Sequence, residues 1–255
     1  DIQKIMRKDF AAGLMNEGQA AIMKPRQAEY LYDLENDKWE MNNLATNPEY
    51  QGVLKEFRKK MEQHVIEKRD AHFIPEYSYA EYSDKYIPYT LRQNEDIYPV
   101  RKVLDAAMMC GMGKSVIAKQ ISLLKTDNDI VNYWAALGLF VSRKELKAYK
   151  NELRNELDKI DYLSAKLYLA GSLYDCFGDK ASKEILEQGM LSDNIYVNKE
   201  TMQILLNIDL KKAQDLLPAV HKHIELYGKL KSHAEVENFM NVVLLRLEKK
   251  EYSFF

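Results

Sequence analysis

"AAMMCGMGKSVIAK", residues 106–119, closes on the Gly-Lys-Ser triplet that ends a nucleotide-binding P-loop. That loop needs an opening glycine five residues before the closing one, and a strand ahead of it, so that backbone amides can wrap a phosphate. With Gly113, Lys114 and Ser115 at the close, the opening position is Met108. The preceding "YPVRKVLDA" starts with a helix-compatible proline and carries apolar residues at helical spacing. Gly111 and Gly113 therefore predict a tight turn between two helices, and no nucleotide is expected.

Working outward, the same unit recurs. First helices are predicted to begin near Ile97, Asp129, Tyr162 and Tyr196, with shorter partners near Lys114, Arg143, Lys180 and Lys211. The spacing is about 33 residues, the period of stacked helical hairpins. Superposition at that period lays Ala136-Leu137-Gly138 over Leu169-Ala170-Gly171, small residues that let helices approach. Partner helices carry apolar stripes at Leu146, Tyr149, Leu153 and Leu157, and at Ala213, Leu216, Val220 and Ile224. A last helix with Val236, Met240, Val243 and Leu247 caps the array. Residues 96–255 thus read as an αα-hairpin solenoid of the HEAT-like kind.

Ahead of the array, residues 71–95 hold two prolines, six Tyr or Phe and little periodicity, and predict an extended connector that packs through its aromatics. "TNPEYQGVLKEFRKKMEQHVIEKRD" predicts a helix: Asn47 caps, Pro48 takes the first position, and Val53, Leu54, Phe57, Met61 and Val65 share a face. Tyr30, Leu31, Tyr32 and Leu34 form a β-prone run ended by Asn36 and Asp37. Residues 1–23 predict two short helices broken at Gly13 or Gly18.

Composition narrows the class. The 255 residues are 30% charged and 46% apolar, the balance of a soluble globular chain. Lys and Arg total 37 against 39 Asp and Glu, so nucleic acid is disfavoured as a partner. No apolar run approaches the roughly 20 residues needed to cross a bilayer. The 17 tyrosines suit helix packing or a sugar-contacting surface, with packing the expectation. Cys110 and Cys176 lie within separate helical runs and read as buried free thiols. A start at Asp1, without Met or a signal peptide, suggests a mature product or a piece of something longer.

One stretch carries a resemblance. "AEYLYDLENDKWEMNNLATNPEYQGVLKEFRKKME", residues 28–62, is similar to a segment near the end of the sulfatase fold in the alkaline phosphatase superfamily, which reads E-L-Y-D-L-x-x-D-P-x-E-x-x-N-L-A. The matching residues are Glu29, Leu31, Tyr32, Asp33, Leu34, Asp37, Glu40, Asn43, Leu44 and Ala45, then Asn47-Pro48-Glu49-Tyr50. Lys38 stands where the family usually has proline, which loosens the turn. "KDFAAGLMNEGQAAIMKPRQAEYLYD" also looks like the stretch ahead of that segment in bacterial sulfatases, and "DNDIVNYWAALGLFV" resembles their HEAT-like extension.

The resemblance implies a mostly α chain. Residues 1–77 would be a small α+β sulfatase C-terminal subdomain of short antiparallel strands plus a helix, residues 78–95 an aromatic-rich connector, and residues 96–255 the solenoid. It implies a parent enzyme that hydrolyses sulfate esters of sulfated glycans, with a formylglycine made from C/S-x-P-x-R beside a calcium ion. The partners implied are the chain's own catalytic sulfatase domain, a sulfated glycan and further copies of the chain. A periplasmic or secreted bacterial location is implied as well. Lys24 and Arg26 are the cations expected nearest the substrate.

The nucleophile motif is not in this chain. Two positions before its six prolines stand Met23, Thr46, Phe73, Tyr86, Ile97 and Leu216, none of them Cys or Ser. The chain alone is expected to be inactive, with formylglycine and calcium belonging to a catalytic domain. Asp33, Glu35 and Asp37 imitate the start of an EF-hand, but Lys38 replaces its glycine and Leu44 its closing glutamate. His221 and His223 fall about 200° apart around a helix and cannot share one ion. His233 is isolated, His64 and His72 flank a helix end, and no G-x-S-x-G is present. The alternative to a sulfatase part is a free-standing helical-repeat module that binds other proteins.

Overall fold

A computed structural model describes residues 2–227 and 234–248. It divides into two compact units, 1–64 and 65–255. The described residues contain helices, 3-10 turns and loops, and no strand.

The first unit holds α1 (Ile2–Ala11), α2 (Glu17–Ala21) and most of α3 (Gln51–Lys68). Gly13, in the left-handed region at φ 68°, breaks the chain after α1, and Asn16 opens α2 with a reciprocal capping box to Gln19. Asn47 caps a 3-10 turn, Pro48–Tyr50, that leads into α3. Among its described residues this unit buries only Leu44, Ala45 and Leu54.

The expected antiparallel strands are absent from the described residues, which corrects the α+β reading of residues 1–77. Leu31 shows why. A strand needs a second strand to take its amides and carbonyls, and here the chain on either side coils into helix or turn. The Leu31 amide donates instead to the Asn43 side chain at 2.9 Å, and its carbonyl accepts from the Leu44 amide at 2.8 Å. The β-prone residues are extended without a ladder.

The second unit begins within α3. Residues 71–95, expected as an extended connector, coil into a 3-10 turn and two short helices, α4 (Glu76–Tyr82) and α5 (Pro88–Leu91). Pro75 and Pro88 start these helices because each lacks an amide that the first turn would leave unbonded. Hairpins follow: α6 (Val100–Ala107) with α7 (Ile117–Leu123), α8 (Asp129–Val141) with α9 (Lys150–Leu157), and α10 (Leu163–Phe177) with α11 (Lys180–Met190). Next come α12 (Ile195–Asn207), α13 (Leu210–Gln214) and α14 (Leu217–Tyr227), and α15 (Ala234–Glu248) packs back on α12. Helical pairing beyond residue 96 agrees with the sequence reading, to within a few residues at each start.

Gly111 and Gly113 both have positive φ, 80° and 71°, so the opening stretch is a helix, a glycine turn and a helix. The small residues at matched positions set the stacking distance. A Cβ on Gly138 would lie 2.1 Å from Gln120 Nε2 of α7. One on Gly171 would lie 2.8 Å from Ile204 Cγ2 of α12 and 3.1 Å from the Phe140 ring of α8. Leu139, Leu167, Leu169, Leu173, Leu186, Met202 and Leu205 fill a continuous core between these helices.

Joints recur with the period. Asn128 and Asn194, about two periods of 33 residues apart, each accept backbone amides in the first turn of the next helix, and Asn94, one period earlier, accepts those of Asp96 and Ile97 in the turn ahead of α6. Arginines close the opposite ends. Arg143 donates to the carbonyls of Phe140 and Asn207, and Arg246 to those of Leu205 and Ile208. These are C-terminal carbonyls that a helix leaves unbonded.

Candidate functional site

The segment that carries the family resemblance folds into a knot of side-chain-to-backbone bonds. Asp33 accepts from the Glu35 amide at 3.1 Å and from Asn36 Nδ2 at 2.8 Å. Asp37 accepts from the amides of Met41 and Asn42 at 3.0 and 2.8 Å. These bonds favour the charged carboxylates, so Asp33, first through Asn36, and Asp37, first through Met41, are held below the usual range. Lys38 replaces the family's proline, yet the turn closes through the Glu40 amide on the Asp37 carbonyl, with Glu40 at positive φ.

Asn43 sits at the centre. Its oxygen accepts from the amides of Leu31 and Ala45, and its nitrogen donates to the Glu29 carbonyl and to Gln27 Oε1 at 2.6 Å. Glu29 takes two bonds from Arg58 of α3 at 2.5 Å, and the first effect of that pairing is to lower its pKa. The matched residues Asp33, Asp37, Asn43 and Asn47 therefore all shape the turn. Asp33 and Asp37 direct their carboxylates to the backbone and to Asn36 within their own turn.

Lys24 and Arg26, the candidate substrate contacts, lie just ahead of this knot and are exposed. Neither lines the groove of Glu95 and Lys102 or the cavity beside Glu200. The same unit exposes large apolar side chains: Ile2 at 76%, Leu14 at 74%, Ile22 at 65% and Trp39 at 85%, with Phe57 and Met61 of α3 exposed as well.

The histidines and cysteines do not converge. His221 bonds Glu248 at 2.6 Å, His72 bonds Asp70 at 2.7 Å, and His64 is exposed. His223 is buried, which pushes its pKa down. His233 lies outside the described residues. Burial pushes the Cys110 thiol up to about 11, and raises Cys176 too. Both are free thiols whose sulfurs donate to carbonyls, of Trp134 and Arg143. A thiol so shifted is a poor nucleophile at neutral pH. Among the described residues no three His, Cys, Asp or Glu side chains gather as a metal site.

The most perturbed chemistry lies elsewhere, in a polar seam across α8, α10 and α12 that the sequence reading missed. Glu200 of α12 accepts a hydrogen bond from Ser164 of α10 on Oε1, while Oε2 is buried with no partner. Burial dominates and pushes its pKa up to about 7; the Ser164 bond pulls the other way, and Glu76 adds to the rise. One turn along, Tyr168 of α10 donates to Gln203 Oε1 at 3.0 Å, and its ring meets Tyr133 of α8 edge-on at 5.6 Å. Asp129 of α8 and Glu81 of α4 are also raised by burial.

The seam was visible as a second repeat signal. Asp129, Ser164 and Glu200 form one row and Tyr133, Tyr168 and Gln203 another, both near the solenoid period. Their polarity hid them from a search for apolar stripes. Ser164 is fully buried, so no substrate reaches its hydroxyl, and what the seam can do is take up and release a proton.

A second concavity, an open groove of about 680 Å³, is lined by Glu95, Asp96, Asp105 and Asp127 with Lys102 and Lys119. It contains no aromatic platform for a sugar ring. No family model, curated protein or solved structure matches the chain.

Proposed function

We propose that this chain is the C-terminal, non-catalytic part of a sulfatase that acts on sulfated glycans, with residues 1–77 completing the enzyme body and the solenoid acting as a scaffold. The exposed apolar surface of the first unit carries this reading. Ile2, Leu14, Ile22 and Trp39 stand in water while three of that unit's described residues are buried. A domain complete in itself does not leave so much large apolar surface uncovered, and a sulfatase catalytic domain is the body that the sequence resemblance supplies for it.

The motif supports the same assignment at residue level. Asp33, Asp37, Asn43 and Asn47 each satisfy backbone amides of one turn, so their spacing is demanded by the turn they make. Catalysis would belong to the catalytic domain, with its formylglycine and calcium. The sugar and partner contacts of this part, Lys24 and Arg26 included, belong to the same proposal.

Reading the gene upstream of Asp1 tests it. A C-x-P-S-R or S-x-P-x-R encoded a few hundred residues earlier supports the assignment, and an upstream region without either ends it. In parallel, the purified chain should release no sulfate from an aryl sulfate with calcium present, and turnover would overturn its non-catalytic role. The continuous core from Ile117 to Leu247 favours the second reading, a free-standing helical module that binds other proteins. The upstream sequence separates the two.

A further inference from the structure

Glu200 is the one carboxyl of the seam with an unpartnered buried oxygen among the described residues. In its neutral form that oxygen carries a proton and needs little from its surroundings. In its charged form it needs donors or water, and leaving it dry costs several-fold more.

The surroundings of Glu200 differ from side to side. Toward α10 it meets Ser164, with Tyr162 and Tyr168 beyond. On α12 itself, Asn198 is bonded to the carbonyls of Gly189 and Met190, and Thr201 lies against Gly189, which fastens α11. The far end of α12 is held by Arg246 of α15. Opening any of these contacts would break the main core.

The remaining side is covered by α4. Three contacts fasten its first turn to α12 and to Tyr162, while farther along Tyr79 and Tyr82 pack against the cluster of Val65, Ile74 and Leu91 and the Tyr79 hydroxyl donates to the Ala71 carbonyl at 2.8 Å. Lys199 donates to Glu76 at 2.9 Å, Ser78 and Tyr162 share a hydrogen bond of 2.6 Å, and the rings of Tyr77 and Tyr162 meet edge-on at 5.4 Å. Beneath it lies a cavity of about 100 Å³, lined by Glu76, Tyr77, Tyr133, Tyr196, Lys199, Glu200 and Gln203. The charged groups that line it are the carboxylate of Glu76, which opposes ionisation of Glu200, and the ammonium of Lys199, which donates to Glu76. The carboxyls of Glu81 and Asp129 act on the neighbouring Tyr77 and Tyr162.

We propose that α4 is a proton-operated clasp, shut over Glu200 while that carboxyl holds its proton and lifted to admit water as the proton leaves. The proposal does not rest on the sulfatase reading. Lifting α4 would uncover Tyr77, Tyr133 and Tyr162, a row of tyrosine edges that the closed state covers.

Hydrogen exchange of residues 71–95, read by mass spectrometry from pH 4.5 to 8.5 and corrected for intrinsic exchange, tests it. One-proton linkage predicts an opening constant that rises up to about tenfold per pH unit toward neutrality and then levels off. In Glu200→Gln the constant should stay flat. In Lys199→Met it should be higher throughout, with the bend at the same pH. A flat wild-type profile overturns the clasp, and so does a variant Glu200→Gln that keeps the rise. A bend that moves in Lys199→Met assigns the switch to the Lys199–Glu76 pair and also overturns it. Should Glu200→Gln fail to fold, carboxyl-carbon NMR of the wild type decides: a Glu200 that titrates in the ordinary carboxyl range ends the proposal.

Discussion

Arg143 donates through Nε to Asp175 Oδ2 at 2.6 Å, and both side chains are largely buried where α8, α10 and α12 end together. The guanidinium also lies over the Phe140 ring, 4.4 Å from its centroid, and the second Asp175 oxygen accepts the Asp209 amide at 2.7 Å. One ion pair therefore joins three helix ends. Removing one partner of a buried pair strands the other charge. Asp175→Ala should cost about 3 kcal/mol of stability in urea unfolding. Glu56→Ala, which breaks an exposed pair on α3, should leave the midpoint where it is.

Asn43 makes four hydrogen bonds that hold the turn of residues 27–47. Asn43→Ala removes all of them and should loosen the turn by about 2 kcal/mol, read as faster amide exchange at Leu31 and Ala45. Asn43→Asp keeps the two accepted bonds and should fall between. Equal exchange in all three chains would mean that the turn is held by something else.

Gly171 is set by space. A methyl group there meets Ile204 and Phe140, so Gly171→Ala should cost about 1–3 kcal/mol by overpacking. Adding Phe140→Leu should recover part of that loss, because the ring is one of the two obstacles. Gly52 has nothing within 4 Å of a built Cβ, and Gly52→Ala should be tolerated.

Global stability should report Glu200 as well. Its pKa is raised from 4.5 to about 7, so the folded chain binds the proton more tightly than the unfolded chain does. That contribution is fully present below about pH 4.5 and is lost as pH rises through about 7. Glu200→Gln should match the wild type in acid and exceed it at pH 8, by about 3 kcal/mol at most. A difference between the two chains that is constant with pH would remove Glu200 as the titrating group.

The two tryptophans give a test of the first unit. Trp39 is 85% exposed, while Trp134 donates to the Phe73 carbonyl at 2.8 Å and packs against Phe73 and Tyr133. Acrylamide should quench one fraction of the emission, and Trp39→Phe should abolish that fraction. On joining a sulfatase catalytic domain, Trp39 emission should shift to the blue. Emission that stays red in the joined protein would remove residue 39 from the proposed contact.

The helical array was legible because its signals are local. Gly111 and Gly113 turn the chain, apolar residues recur at helical spacing, and Gly138 and Gly171 fall one period apart. The strand expected at residues 30–34 failed because a strand is decided by its partner, and Asn43 takes the bonds that a partner would have made. Residues 71–95 were read as extended because Pro75 and Pro88 look like breaks, whereas each stands at a helix start. Glu200 went unnoticed because one glutamate beside Lys199 in α12 says nothing of its burial until Ser164 and α4 are in place.

Asn128 serves two neighbours at once. Its oxygen accepts the Val131 amide at the head of α8, and its nitrogen donates at 3.1 Å to the carbonyls of Asp96 and Ile97, one hairpin earlier. A block of about 33 residues copied in frame within the gene would thus bring its own fastening with it. The array could lengthen by tandem duplication without a new joint having to evolve.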